Sequence, residues 1–236
     1  MSGLGQRERA VLAAVARHFS ATWEKGEAPP DAYLTIARKR IAVEVTTTKL
    51  RIAERGGLTK PRLRFDRVAL GFVRRLQAAL SASVPDGRTL IVTITAPIRV
   101  PSKTAAALED NIRTYLARQS AHGEAKHTIH GNQIRVRLVK GGSRRTTKVI
   151  GFVHNPDSDP DGLFDITLSL IERIGAKART GAPARSAVDR WLVLAGDDRF
   201  SYIEPYRHVY SQLSIPTGFK KILVVLADGR IETLTG

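Results

Sequence analysis

The sequence has no cysteine, a single methionine, and aromatic residues at only 6% of its 236 positions. Without thiols there can be no disulfide, no thiolate metal site and no cysteine nucleophile. Acidic residues are few relative to basic ones: 22 Asp and Glu against 38 Lys and Arg, a formal net charge of +16. No apolar run approaches the ~20 residues needed to span a bilayer. An amphipathic helix studded with Trp or Phe and backed by a polybasic face is also missing, so a membrane surface is not the expected partner. The opening segment MSGLGQRERAVLAAVARHF carries charge through its apolar stretch, unlike a secretion signal, and a cytoplasmic protein is expected. Repeats and low-complexity tracts are absent. The six histidines show no H-E-x-x-H spacing, Gly141-Gly142-Ser143 lacks the Walker spacing, and no Ser-His-Asp constellation is supported. Asp157, Asp159 and Asp161 resemble the opening of a calcium loop, but Leu168 stands where a bidentate Glu is needed, so an acidic turn is expected.

What is present describes a folded chain: 42% apolar and 25% charged residues. The basic excess attracts polyanions and supplies the counterion-release part of nucleic-acid affinity. Val11, Leu12, Val15 and Phe19 predict a helix over residues 7–23, ended by Gly26 and Pro29-Pro30. Strands are predicted over 32–36 and 41–48, with Arg38-Lys39-Arg40 at the turn. An apolar stripe including Phe65, Val68, Phe72 and Leu76 predicts a long helix over 61–84, with Pro61 as its first residue. TLIVTIT (89–95) reads as a strand buried on both faces, and Ser102 as the cap of a helix reaching about residue 119. A hairpin is expected over 133–153, then a helix over 163–174, a linker at 180–185, and apolar strands at 191–195 and 221–226 around a helix or turn near 204–213. This order predicts the α/β class, with a mixed central sheet flanked by helices. The expected organisation is a core over 1–125, and a basic hairpin plus C-terminal α/β extension over 126–236, packed as one domain, with two packed domains divided near 125 or 180 as the alternative.

One stretch, PPDAYLTIARKRIAVEVTTTK, carries the candidate chemistry. If its two strands form a hairpin, Asp31 and Glu44 reach the same end of the sheet. Paired carboxylates suit Mg²⁺ or Mn²⁺, which keep several waters and can activate one against a phosphate. Glu44 interrupts an apolar and Thr-rich strand, where a buried carboxylate needs a partner or a metal. The plainer alternative makes Asp31 a cap and Glu44 a surface residue paired with Arg38 or Lys39.

Pro30-Asp31 and Glu44-Val45 together resemble the PD-(D/E)XK nuclease superfamily, whose restriction-endonuclease-like core of helix, strands, helix and a further strand fits the order predicted from residue 7 to about 97, so that the 61–84 helix and the 89–95 strand would complete the sheet. The resemblance implies that Asp31 and Glu44 ligate the metal, joined by the Val45 carbonyl and by Glu8 from the first helix, with Glu24 and Glu27 as rivals to Glu8. It also marks a departure, because Thr46 stands where the family has lysine. Lys49 is the expected replacement, with Thr46 assisting through its hydroxyl and Lys39 as a further candidate.

For the polyanion, Arg64, Arg67, Arg74 and Arg75 share a sector of about 100° on the 61–84 helix. Asp66 is the only acid nearby, so i,i+4 partners are lacking. Arg135, Arg137, Lys140, Arg144, Arg145 and Lys148 form a second basic cluster on the predicted hairpin. No aromatic residues interleave with these clusters, which favours backbone contact with duplex DNA over stacking on single strands. The expected function is a metal-dependent DNA endonuclease of restriction or repair type, a homodimer if it cuts both strands symmetrically. The alternative is a non-catalytic DNA- or RNA-binding module on the same fold.

Overall fold

The computed structural model describes residues 4–27, 29–47, 63–118, 123–141, 147–158, 160–180, 188–195, 203–213, 218–226 and 228–234. In chain order the elements begin with α1 (Gln6–His18), β1 (Thr22–Lys25), β2 (Ala32–Ile36) and β3 (Lys39–Thr47). Next come α2 (Arg67–Leu80), β4 (Arg88–Thr95), α3 (Pro101–Arg118), β5 (Gly123–Ile129), β6 (Asn132–Lys140) and β7 (Val149–His154). The last are α4 (Pro160–Thr180), β8 (Asp189–Ala195), α5 (Glu204–Gln212), β9 (Lys221–Val225) and β10 (Ile231–Thr233). Parallel and antiparallel strands occur together, as expected for a mixed α/β protein. Among the described residues no helix is long and apolar enough to cross a membrane.

The chain forms two compact units, and neither is a continuous half. One unit takes residues 1–53, 172–210 and 216–236, the other 54–171 and 211–215. The expected boundary at 125 therefore falls inside the second unit, and the first is assembled from both ends of the chain. Residues 61 and 62, 144 and 145, and 181–187 lie outside the described residues, and with them the predicted helix start at Pro61 and most of the predicted linker.

The first unit holds a six-stranded sheet in the order β1-β2-β3-β8-β9-β10. The turn between β2 and β3 is tighter than expected. Ala37 and Arg38 both take left-handed backbone (φ 46° and 68°), the geometry of a two-residue hairpin, and Lys39 already belongs to β3. The predicted first helix stops at His18, and the residues after it form β1, which pairs with β2. Val11, Leu12, Val15 and Ala16 of α1 pack with Val43, Val45, Trp191 and Val193 on one face of the sheet. β3, β8 and β9 run parallel at its centre, and their near-continuous apolar runs reflect burial on both faces.

The second unit holds a four-stranded sheet in the order β5-β6-β4-β7. Leu76 and Leu80 of α2, with Leu108 and Ile112 of α3, cover one face through Leu90, Val92, Ile134 and Val136. The 133–153 hairpin does not form. β6 has both edges occupied, by β5 and β4, and β7 pairs instead in parallel with β4. The helix predicted from Pro61 starts at Arg67, because the Asp66 carboxylate accepts the Ala69 N–H and caps it. Phe65 and Val68, expected in the apolar stripe, are 50% and 51% exposed. α2 and β4, expected to complete the sheet bearing Asp31 and Glu44, belong to this second sheet. Its face away from α2 and α3 carries the polar residues considered below.

Candidate active site

The register of the β2–β3 hairpin decides where the two carboxylates lie. Ala32 pairs with Val43, and one further step along the antiparallel ladder places Asp31 opposite Glu44. Directly opposed residues share a face, with Cβ atoms about 5 Å apart. Since Val43 and Val45 face α1, Asp31 and Glu44 lie on the other side of the sheet. The backbone of Asp31 is fixed by Gly26, whose N–H donates to the Asp31 carbonyl at 3.0 Å. No larger residue fits there: a Cβ on Gly26 would lie 2.2 Å from the Pro30 carbonyl oxygen. The Val45 N–H donates to Asp31 Oδ2 at 2.8 Å.

Three cations complete the cluster, and none is near Asp31 and Glu44 in the sequence. Lys177 Nζ on α4 stands 2.7 Å from Asp31 Oδ2 and 3.6 Å from Glu44 Oε2. One helical turn earlier, Arg173 donates to the Thr46 hydroxyl at 3.1 Å. This i,i+4 spacing brings both side chains to one face of the helix. Burial holds the Arg173 guanidinium below its ordinary pKa range, partly offset by Glu172. Arg190, on β8 beside Ala42, bonds Glu44 Oε1 at 2.6 Å and stacks 4.6 Å from the Phe219 ring. Glu44 is 2% exposed, so it is a buried carboxylate satisfied by two cations. Arg38 and Lys39 are not its partners. Lys39 pairs instead with Asp189 at 2.6 Å, and that carboxylate's hydrogen bond and charge raise the Lys39 pKa.

No family model, curated protein or solved structure matches this chain.

The other expected site residues are dispersed. Glu8 accepts the Gly5 N–H at 2.8 Å and so satisfies a backbone donor at the start of α1. Glu24 is exposed and bonds Arg40 at 2.7 Å, and Glu27 is exposed. Lys49 lies outside the described residues. Lys177, Arg173 and Arg190 were missed because nothing in the sequence links them to β2 and β3. The available signal was Arg173 and Lys177 at i,i+4 on one face of a helix that continues six residues beyond its predicted end at 174.

The basic surfaces also differ from expectation. Arg64 precedes α2, joins the edge of β7 through the Val153 carbonyl and pairs with Asp66 at 3.0 Å. Arg75 pairs with Glu109 at 2.9 Å. Arg67 and Arg74 are exposed and meet no carboxylate among the described residues. On β6, Arg135 and Arg137 lie between Glu124 and Asp161 and bond to both carboxylates. The predicted basic ribbon is therefore neutralised from the neighbouring strand β5 and from the start of α4. Lys148 pairs with Asp86 at 2.8 Å, Lys140 is exposed, and Arg144 and Arg145 lie outside the described residues.

Proposed function

We propose that this chain is a metal-dependent phosphodiesterase acting on DNA, with Asp31, Glu44 and Lys177 as its working groups. The observation that carries this reading is the Lys177 ammonium, 2.7 Å from Asp31 and 3.6 Å from Glu44. The resemblance lacked its lysine at Thr46, and α4 brings to the same two carboxylates a lysine that lies 146 residues beyond Asp31. Element order supports the same reading. Within the first unit the chain runs α1, β1 to β3, the end of α4, then β8 beside β3, with residues 54–171 of the second unit inserted between β3 and the end of α4. Helix, strands, helix and strand is the order of the PD-(D/E)XK core.

The donor set fits a hard divalent cation. Asp31 Oδ1 has no protein partner among the described residues, and Lys177 Nζ stands 3.6 Å from Glu44 Oε2. Mg²⁺ takes one or two carboxylates and fills its remaining positions with water and substrate phosphate. Mg²⁺ or Mn²⁺ held by Asp31 and Glu44 would supply an acidified water and charge to oppose that of the phosphate. Arg190 holds Glu44 through Oε1 and leaves Oε2 for this role. The Val45 N–H does the same for Asp31 through Oδ2. Lys177 can orient the attacking water or neutralise a phosphate oxygen, and Arg173 fixes the Thr46 hydroxyl beside it. Of the basic residues expected to meet DNA, Arg67, Arg74 and Lys140 are exposed without a carboxylate partner among the described residues, and they are the ones we assign to the DNA backbone. We place this activity in the cytoplasm, with a homodimer required only if both strands are cut at a symmetric site.

Charge balance favours a second reading. Lys177 and Arg190 already neutralise Asp31 and Glu44, as in a closed structural network on a DNA-binding module without catalysis. Supercoiled plasmid and single-stranded DNA incubated with Mg²⁺ or Mn²⁺ separate the two. We expect cleavage by the wild type, and a loss of about 100-fold or more in Glu44→Gln and in Lys177→Met. DNA bound but intact in every metal leaves the binding module. Equal cleavage by all three proteins places the activity elsewhere.

A further inference from the structure

The second unit contains a cavity of about 690 Å³, within the size range of small-molecule sites. Its floor is the sheet face turned away from α2 and α3. One cross-strand row runs from Thr128 on β5 to Gln133 on β6, then Thr95 on β4 and His154 on β7. A second row, one pleat away, begins Lys126, Arg135, Thr93. Thr95 and His154 end the parallel strands β4 and β7, and open α/β sheets bind ligands at the carboxyl ends of their parallel strands.

The cavity's charge is one-sided. Arg99, Lys126 and Arg135 line it, and no carboxylate does so among the described residues. Arg135 is committed to Glu124 and Asp161, Lys126 is exposed and only loosely paired with Glu124 at 3.9 Å, and Arg99 is exposed and meets no carboxylate among the described residues. Arg99 is held in place at some cost. Buried Asn132 accepts its N–H at 2.7 Å and donates to its carbonyl at 2.9 Å, and the next residue, Val100, is forced to φ 43°. A β-branched residue in that region is strained, and such strain concentrates at functional sites. The guanidinium then lies over Gly131, where a Cβ would come within 2.9 Å of its Nη1. His154 donates from Nδ1 to the Asn155 carbonyl at 2.9 Å, which turns Nε2 toward the Thr95 hydroxyl at 3.3 Å as an acceptor.

We propose that this cavity binds a phosphate-bearing ligand of nucleotide size. Arg99 and Lys126 take the phosphate, and the hydroxyl, amide and imidazole groups of the floor meet the sugar and base. Arg99 matches phosphate in a bidentate fork and can also stack on a base plane. The site shares no residue with the Asp31–Glu44–Lys177 cluster and does not depend on whether that cluster cleaves DNA. The same chemistry is offered by a free mononucleotide and by one unit of a nucleic-acid strand.

Calorimetric titration of the full chain, with a chelator present to prevent cleavage, tests the proposal. The titrants are 5′-dAMP, 5′-dTMP, inorganic phosphate and a hexathymidylate. The proteins are the wild type, an Arg99→Ala/Lys126→Ala double variant and Glu44→Gln. We expect a nucleotide or the oligonucleotide to bind the wild type, at least about 10-fold weaker binding to the double variant at an unchanged thermal midpoint, and no change in Glu44→Gln. Binding of mononucleotides identifies a free nucleotide, and binding of the oligonucleotide alone identifies a strand. The proposal is overturned if nothing binds at millimolar concentration, if inorganic phosphate binds as tightly as the nucleotides, or if the double variant binds like the wild type.

Discussion

Glu44 in the first unit and Glu124 in the second are both carboxylates held among cations on a sheet, yet they differ in what depends on those cations. Glu44 is 2% exposed, with Arg190 at 2.6 Å and Lys177 at 3.6 Å. Glu124 sits on exposed β5, bonded to Arg137, with Arg135 at 3.5 Å and Lys126 at 3.9 Å. The number of partners is similar, but water is not. A buried carboxylate that loses a cation has nothing to replace it, whereas an exposed one regains hydration. The contrast also separates their roles. The cations around Glu44 hold a charge that would otherwise be uncompensated in the sheet, whereas those around Glu124 are themselves paired, Arg135 and Arg137 with Asp161 as well.

The largest effect that would sharpen this contrast is expected from Arg190→Met, which leaves Glu44 with Lys177 alone. We expect a loss of about 3 kcal/mol. Both tryptophans, Trp23 and Trp191, belong to the first unit, so urea unfolding followed by tryptophan fluorescence reports on it directly. A loss no larger than that of an exposed pair would break the comparison. Gly26→Ala should cost about 2 kcal/mol by the same measurement, since the new Cβ meets backbone 2.2 Å away rather than a movable side chain. It should also displace Asp31 and weaken any cleavage. Glu124→Gln should cost under about 1 kcal/mol in scanning calorimetry, because Asp161 still holds Arg135 and Arg137. The smallest effect is pH-dependent. The Ala69 N–H, then Arg64, hold the exposed Asp66 carboxyl below its ordinary value of 3.8. Its stabilisation is therefore complete above that value and is lost as pH falls through the lowered one. The difference in thermal midpoint between wild type and Asp66→Ala should shrink on acidification below about pH 4.

The hairpin carrying Asp31 and Glu44 was legible because its signals are local. Alternation over residues 41–47 sets the faces, and a short turn sets the register that opposes the two carboxylates. α2, β4 and α3 were legible as elements for the same reason, each having its own periodicity. Their assignment to a second sheet was not, since strand pairing depends on which edges remain open. β6 meets β4 and β5, and β7 is left to join β4 in parallel. Start positions slipped where a single cap decided them, as Asp66 did for α2.

Composition and pattern by themselves determined a cysteine-free α/β chain with an excess of positive charge, and a buried-strand carboxylate in need of a partner. Which cation answers that need was decided only in three dimensions. Lys39, five residues from Glu44, pairs with Asp189 instead, while Lys177 and Arg190 arrive from α4 and β8 after residues 54–171 of the second unit have intervened in the chain. Periodicity places a side chain on a face, because that depends on its nearest neighbours along the chain. The partner across that face depends on packing between distant segments, which only the folded chain brings together.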